Sequence, residues 1–330
     1  MSVEFKSCFS KEFDEYLYIK KATLSEKAYR YHRYILAEFD TYLIENSYES
    51  FSLEEETINN WVSLLKKSLH EKTINYRLGV IRGFAKCLHA KGIHAYTPPY
   101  MITHDDYIPY IYSEEEVQRI FELADSIPMT KIQPDKDIQI KYPTLLRMIY
   151  GCGFRLGEVI NLKMGDLDLD LGTVRLKDTK FNKERLVPMH PSLTEILKKY
   201  CCLTGIVGNP NSWVFPGVDK TKHITERAVR RKFETILHNA KMSIPGREFG
   251  ARGICLHCFR HLFAIKSFKK GQLEGWQMDT VIPYLSIYLG HKSLKETEKY
   301  LKFDSLAVFP ETMEAFDDYT KGMFPEVNYD

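Results

Sequence analysis

Four residues in the last third of this chain have types and spacings that suit chemistry at a phosphodiester. Between Gly253 and Lys302 the sequence sets His257 and Arg260 three residues apart, His291 after a glycine, and Tyr300 nine residues beyond His291. Leu262, Ala264, Ile265 and Phe268 predict a helix over Leu256–Lys270, which puts His257 and Arg260 on one face. Ser293-Leu-Lys-Glu296 reads as a capping box opening a further helix, with Tyr300 on it and His291 on the loop before. An imidazole–guanidinium pair beside an imidazole–phenol pair can deprotonate a tyrosine and hold the phosphate it attacks. Taken singly, each residue has a plainer reading. A helical tyrosine is most often core, and Cys255, His257, Cys258 and His261 could be metal ligands. In a helix from Leu256, however, Cys258 turns away from the His257/His261 face, and no second pair sits at zinc spacing.

Upstream, Gly151-Cys-Gly-Phe-Arg155-Leu-Gly-Glu158 places two glycines at a bend, then an arginine at a helix start, where unpaired amides also favour a phosphate. Alone, Arg155 would read as half of a surface ion pair. The ordered set as a whole resembles the tyrosine recombinase (phage integrase-type) family. The residues that carry the resemblance are His257-Cys-Phe-Arg260, Leu289-Gly-His291, Tyr300, and Arg155 with Glu158 in a G-x-R-x-x-E form. It is strong from about Ser113 to Lys302. The N-terminal part matches only in length, position and helical character.

The resemblance implies roles. Arg155 and Arg260 would clamp the non-bridging phosphate oxygens, His291 would add a donor, His257 would take the phenol proton, and Tyr300 would form a 3′-phosphotyrosyl link. Thr179-Lys180-Phe181-Asn182-Lys183-Glu184-Arg185 aligns with the family's hairpin turn and places the general-acid lysine at Lys180. Lys183 is a lesser candidate, and Thr179 and Phe181 stand where glycines are usual. Neither a metal ion nor any other cofactor is implied, since guanidinium charge takes the Lewis-acid role. The expected activity is site-specific DNA recombination, integrating, excising or transposing a mobile element. Two alternatives stand beside it: a type IB topoisomerase-like nicking and resealing enzyme, and a DNA-binding protein that has lost catalysis.

The elements that must position these residues are mostly helical. Residues 1–91 read as helices throughout, with Ser25 and a Ser52-Leu-Glu-Glu55 box as starts. A helix over His70–Lys91 carries an apolar stripe of Ile74, Leu78, Ile81, Ala85 and Leu88. Beside it run Lys72, Asn75, Gly79, Arg82 and Lys86, of which Lys72, Arg82 and Lys86 are candidate DNA contacts. Residues 93–111, with Pro98, Pro99 and Pro109, read as a linker. Ser113-Glu-Glu-Glu116 restarts a helix, Tyr142–Tyr150 is another, and 172–188 alternates as a hairpin, TVRL and RLVP about a turn at Lys177–Glu184. A helix over 191–200 and the apolar Trp213-Val-Phe-Pro216 follow. An amphipathic helix over Thr225–Ala240 presents Arg227, Arg230 and Arg231, also candidate DNA contacts. The fold class expected is mainly α with a small β-hairpin or sheet (α+β). Its domains are a helical, SAM-like core-binding domain at 1–103 and a catalytic domain at 104–330 with a tail from about 303. By resemblance the two lobes form a C-shaped clamp around duplex DNA.

Composition agrees with this. The 330 residues carry a net charge of +2 and are 44% hydrophobic. From Lys220 to Lys302 there are 17 Lys and Arg against 7 Asp and Glu, whereas Phe303–Asp330 holds 7 acidic residues and one Lys. A basic body suits a polyanionic partner. No apolar run is long enough for a membrane span and the N-terminus lacks a signal-peptide core. Seven scattered cysteines suggest reduced thiols. The expected setting is cytoplasmic, with double-stranded DNA as partner, a homotetramer when two sites are synapsed, and a monomer when free. The apolar residues of the tail (Phe303, Leu306, Val308, Phe309, Met313, Phe316) are expected to dock on a neighbouring subunit in the DNA-bound tetramer and in cis, or loosely, in the free monomer; the alternative is a tail that completes its own domain's core.

Overall fold

The computed structural model describes residues 4–101, 109–128, 135–178, 183–242, 253–291 and 293–298. They fall into two compact units, each with its own apolar core. The domain boundary expected at 103–104 lies outside the described residues.

The described residues of unit 1 contain four helices: α1 (Ser10–Lys21), α2 (Glu26–Glu45), α3 (Glu55–Lys66) and α4 (Glu71–Ala90). Phe9, Phe13, Phe39, Trp61 and Phe84 meet in its core, each fully or almost fully buried. Truncating any one of these rings to Ala would cost about 3–5 kcal/mol. The carboxylate of buried Asp40 accepts from the Lys6 and Ser7 amides at 3.0 and 2.9 Å, tying the N-terminal segment to α2. Ser25 caps α2, as expected, by accepting from the Ala28 amide at 3.3 Å. The Ser52 box does not form. Leu53 is drawn into a bridge with Ala95, donating to His94 O at 2.9 Å, so α3 begins only at Glu55. The close helix contact of α4 is at Gly83. A Cβ on Gly83 would meet the Tyr16 hydroxyl of α1 at 2.6 Å, whereas one on Gly79 would have room.

Unit 2 contains α5 (Glu114–Asp125), α6 (Ile138–Cys152), α7 (Leu156–Ile160) and a 3-10 turn (Met164–Asp166). A three-stranded antiparallel sheet follows, of β1 (Leu167–Asp168), β2 (Thr173–Asp178) and β3 (Lys183–Pro188). Then come α8 (Pro191–Thr204), α9 (Glu226–Asn239), α10 (His257–Leu273), α11 (Met278–Leu289) and α12 (Leu294–Glu298). The Ser113 box is complete, with Ser113 Oγ accepting from the Glu116 amide and Glu116 accepting from that of Ser113. The strands run further than TVRL and RLVP. Lys177 pairs with Glu184 and Asp178 with Lys183, so residues expected in the turn belong to the ladder. Register sets Val174 opposite Val187 and Leu176 opposite Arg185, and it turns Arg185 and Val187 inward while Leu186 faces water. The core gathers Phe121, Tyr142, Phe215 and Phe259 from different elements. A smaller cluster (Ile265, Phe268, Val281, Ile282, Leu285, Leu289) zips α10 to α11. No described helix is long and apolar enough to cross a membrane.

Candidate active site

The site lies within unit 2, where the ends of α6 and α11 meet the starts of α7 and α10. Gly153 ends α6 in the left-handed region (φ 61), and the chain turns through buried Phe154 to Arg155, the N-cap of α7. Glu158, one turn along, accepts from the Arg155 amide at 2.8 Å and from its guanidinium Nη1 at 2.9 Å. The same Oε1 accepts from Arg185 Nη2 at 2.9 Å, and Arg260 Nη1 lies 3.9 Å from Oε2. One carboxylate therefore faces three guanidiniums. Burial alone would raise the pKa of Glu158. The Arg185 charge, the Arg155 amide, the Arg185 hydrogen bond and the Arg260 charge outweigh burial and hold the carboxyl below its ordinary range.

The three arginines share a second set of partners, the last carbonyls of α11. A helix C-terminus leaves such carbonyls without intrahelical donors and carries partial negative charge, so cations are stabilised there. Arg185 Nε donates to Tyr288 O at 2.9 Å, Arg260 Nη2 to Leu289 O at 2.6 Å, and Arg155 Nη2 to Gly290 O at 3.2 Å, with Arg155 Nη1 at 3.5 Å from Leu289 O. Arg260 Nη1 also donates to Gly153 O at 2.8 Å. The Leu289-Gly-His291 motif is thus the C-cap of α11. Gly290 is needed twice over: its φ is 65°, and a Cβ there would come within 2.5 Å of Arg185 Nη1.

The two expected catalytic arginines sit differently. The Arg155 side chain is 39% exposed, whereas that of Arg260 is 1% exposed, beneath the carbonyls. His291 follows the cap, its amide donating to Ser286 O at 2.9 Å and its Nδ1 lying 2.6 Å from the hydroxyl of buried Thr297 on α12. Burial, then the charges of Arg260, Arg155 and Arg185, push its pKa down to about 3, so the ring is neutral at pH 7. His257 is exposed on the first turn of α10, edge-on to His261 with ring centroids 4.6 Å apart.

The structure thus brings together Arg155, Arg260, His257 and His291. Lys180 and Tyr300 lie outside the described residues, as does the tail from 303. Of the candidate DNA contacts, Lys72 and Lys86 are exposed on α4, and Arg227, Arg230 and Arg231 on α9, with Arg230 3.2 Å from Glu226. Arg82 departs from expectation. It is buried, donating to Pro98 O (3.3 Å), Pro99 O (2.8 Å), and the carbonyl and Oδ1 of Asn75 (3.2 and 3.3 Å), with Tyr100 stacked at 3.6 Å. Two successive prolines cannot tie this segment down with amide donors, so the guanidinium binds their carbonyls instead and is lost to the surface. Arg185 and Thr297 were not foreseen as site residues. For Arg185 the available signal was strand alternation with Val187, which turns it inward toward Glu158. The metal reading of Cys255, His257, Cys258 and His261 gains no support: among the described residues no group of three or more His, Cys, Asp or Glu side chains is placed to hold an ion.

Comparison with known proteins defines the class. The Phage integrase family model matches residues 111–305. The tyrosine recombinase XerC of Staphylococcus carnosus (strain TM300) is 26% identical over 280 residues, covering 80% of this chain and 82% of that one. Among solved structures, the XerH site-specific recombinase bound to palindromic difH substrate is similar with a TM-score of 0.62 at 19% identity, over 89% of this chain and 79% of that one. The Tn1549 transposon integrase in complex with circular intermediate DNA is similar with a TM-score of 0.60 at 16% identity, over 91% and 95%. The chain belongs to the phage integrase family of tyrosine recombinases. It is an enzyme of site-specific DNA recombination, one that cleaves and rejoins DNA.

Proposed function

We propose that this recombinase cleaves one strand of duplex DNA through Tyr300, conserving the bond as a 3′-phosphotyrosyl ester that a 5′-hydroxyl later reseals. The observation that carries the reading is the cluster of Arg155, Arg185 and Arg260 on Glu158 beside a neutral His291. Charge grows on the non-bridging oxygens as the phosphoryl group passes between two in-line oxygens, and preorganised cations meet that charge without reorganising. Arg155, the more exposed, makes the first contact. Arg260 joins it by exchanging a carbonyl for a phosphate oxygen. In this reading the Thr297 hydroxyl, 2.6 Å from Nδ1, donates to it, so the neutral His291 ring carries its proton on Nε2 and donates a hydrogen bond from there to the phosphate. His257 takes the Tyr300 proton, the tyrosyl oxygen bonds to phosphorus, the bond to the 5′-oxygen breaks, and Lys180 protonates that oxygen.

Residues 1–103 form a DNA-holding domain in this reading, with Lys72 and Lys86 on phosphates, and residues 104–330 form the catalytic domain, with Arg227, Arg230 and Arg231 as further contacts. The protein acts in the cytoplasm, a monomer when free and a homotetramer across two sites, serving a mobile element. The segment after Tyr300 docks on the neighbouring subunit.

A suicide substrate that releases the cleaved end tests the core of this reading. Wild type should accumulate a covalent adduct, and Tyr300→Phe should form none while binding the same DNA with near wild-type affinity, because affinity comes from many phosphate contacts. An adduct with the Phe variant would remove Tyr300 from the mechanism.

A further inference from the structure

Directly ahead of His257 and Arg260 stands a Cys-x-x-Cys pair that the recombination chemistry does not use. Cys255 precedes the first turn of α10 and Cys258 lies within it, Sγ to Sγ 3.8 Å apart. The backbone fixes them there: the Cys258 amide donates to Cys255 O at 2.9 Å, and the Tyr112 hydroxyl donates to the same carbonyl at 3.0 Å. Cys255 is half-buried and Cys258 fully buried. The two sulfurs differ in character. The two sulfurs share a hydrogen bond, the His257 and Cys258 amides point at the Cys255 sulfur from the open end of α10, and Arg230 of α9 adds positive charge. Together these hold the Cys255 pKa below the ordinary thiol range despite burial. The Cys255 sulfur and burial push Cys258 the other way. A thiolate at a helix N-terminus, with a protonated partner thiol at hand, is the arrangement that makes cysteines redox-active.

We propose that Cys255 and Cys258 form a redox-modification site in which peroxide closes a disulfide across the first turn of α10 and slows DNA cleavage. The Cys255 thiolate attacks hydrogen peroxide, an S–O bond forms as the O–O bond breaks, and hydroxide leaves. Cys258 sulfur then attacks the sulfenic acid, and the oxygen departs as water. Two thiols and one peroxide become a disulfide and two waters, and a dithiol reductant reverses the step. Closure draws the sulfurs from 3.8 Å to about 2.05 Å. The disulfide ring then spans Leu256 and His257, and Arg260 follows Cys258 by two residues, so the contraction displaces the histidine read here as the base. The effect on cleavage rests on that reading of the site; formation of the disulfide does not.

Full-length protein is treated with hydrogen peroxide, alkylated and digested with trypsin, which releases both cysteines in one peptide, Gly253–Arg260. Adduct formation on the suicide substrate and DNA affinity are measured on the same samples before and after reduction. The expected result is a peptide lighter by two hydrogens and refractory to alkylation. Adduct formation should fall roughly tenfold to a hundredfold, as when a catalytic group shifts by about 1 Å. DNA affinity should be unchanged, and reduction should restore the rate. Cys255→Ser and Cys258→Ser should each keep the untreated rate and lose the response; Cys255, half-buried, is the safer variant should Cys258→Ser fold poorly. The proposal is overturned by two alkylated cysteines after peroxide, by a disulfide that leaves the rate intact, or by Cys255→Ser still being inhibited. Failure of reduced wild type to form any adduct would strike the active-site reading instead, while the peptide mass would still decide the disulfide.

Discussion

Arg82 in unit 1 and Arg260 in unit 2 solve one problem in one way, and only one of them borders a site. Each is a guanidinium taken from water and re-solvated by backbone carbonyls: those of Asn75, Pro98 and Pro99 for Arg82, and those of Gly153 and Leu289 for Arg260. Around Arg82 the carbonyls take Nη1 and Nη2 and leave only the buried Nε without a partner, an aromatic ring lies over the cation, and among the described residues no carboxylate pairs with it. Around Arg260 stand a buried carboxylate, a second inward arginine, a half-exposed third and a neutral imidazole. An arginine buried among carbonyls is therefore structural by itself. What makes a candidate active site is the surplus of cation over anion that the same carbonyls gather at one place.

The comparison predicts graded outcomes. Arg260→Ala should do the most damage, destabilising the protein by about 3–5 kcal/mol, as for removing one partner of a buried charge pair, and abolishing adduct formation. Urea unfolding and the suicide-substrate assay measure the two losses, and normal stability would mean that Arg260 is not integral to the cluster. Arg155→Ala should separate them, with cleavage slower by roughly 100- to 1000-fold and a melting temperature close to wild type, because this side chain is half-exposed. A rate near wild type would deny Arg155 its role.

Arg82→Ala should lose about 1–3 kcal/mol of stability by stranding its carbonyls, yet leave cleavage at saturating DNA unchanged. A rate defect larger than the fraction unfolded would break the comparison by making Arg82 functional after all. A further outcome concerns pH. The unfolded chain protonates His291 near its ordinary value of about 6.5, whereas the folded chain resists until about 3, so the unfolded state binds the extra proton between these values. The stability difference between wild type and His291→Asn should therefore shift against wild type as pH falls from 6.5 toward 4. Parallel melting curves for the two across that range would show that the ring is not held neutral.

The sequence made the periodic and capped elements legible. α10 was readable from its apolar spacing, α5 from its Ser113–Glu116 box, and the hairpin from strict alternation around a polar turn. The cluster was readable as far as residue identity goes, because Arg155, His257, Arg260 and His291 each sit in a short motif. What stayed hidden depends on contacts distant in sequence. Arg82 is claimed by prolines sixteen and seventeen residues on, which no helical wheel shows. The Ser52 box lost its serine's role to a bridge formed forty residues later. α11 carries Pro283 inside it, which reads against a helix, and its part in the site lies in its carbonyls, about which side-chain patterns are silent.

That last feature bears on how such a site can change over generations. No codon deletes a carbonyl oxygen, so the acceptors that seat the three arginines lie beyond the reach of point mutation. Tyr288 and Leu289 are held by packing against α10, but exchange for apolar side chains of similar volume leaves their main-chain oxygens in place. The exposed flank of this inheritance is Gly290, where any other residue would both strain the backbone and collide with Arg185. In lineages derived from this chain, apolar-for-apolar exchange at 288 and 289 with strict retention of 290 would be the mark of an arginine cradle made of backbone.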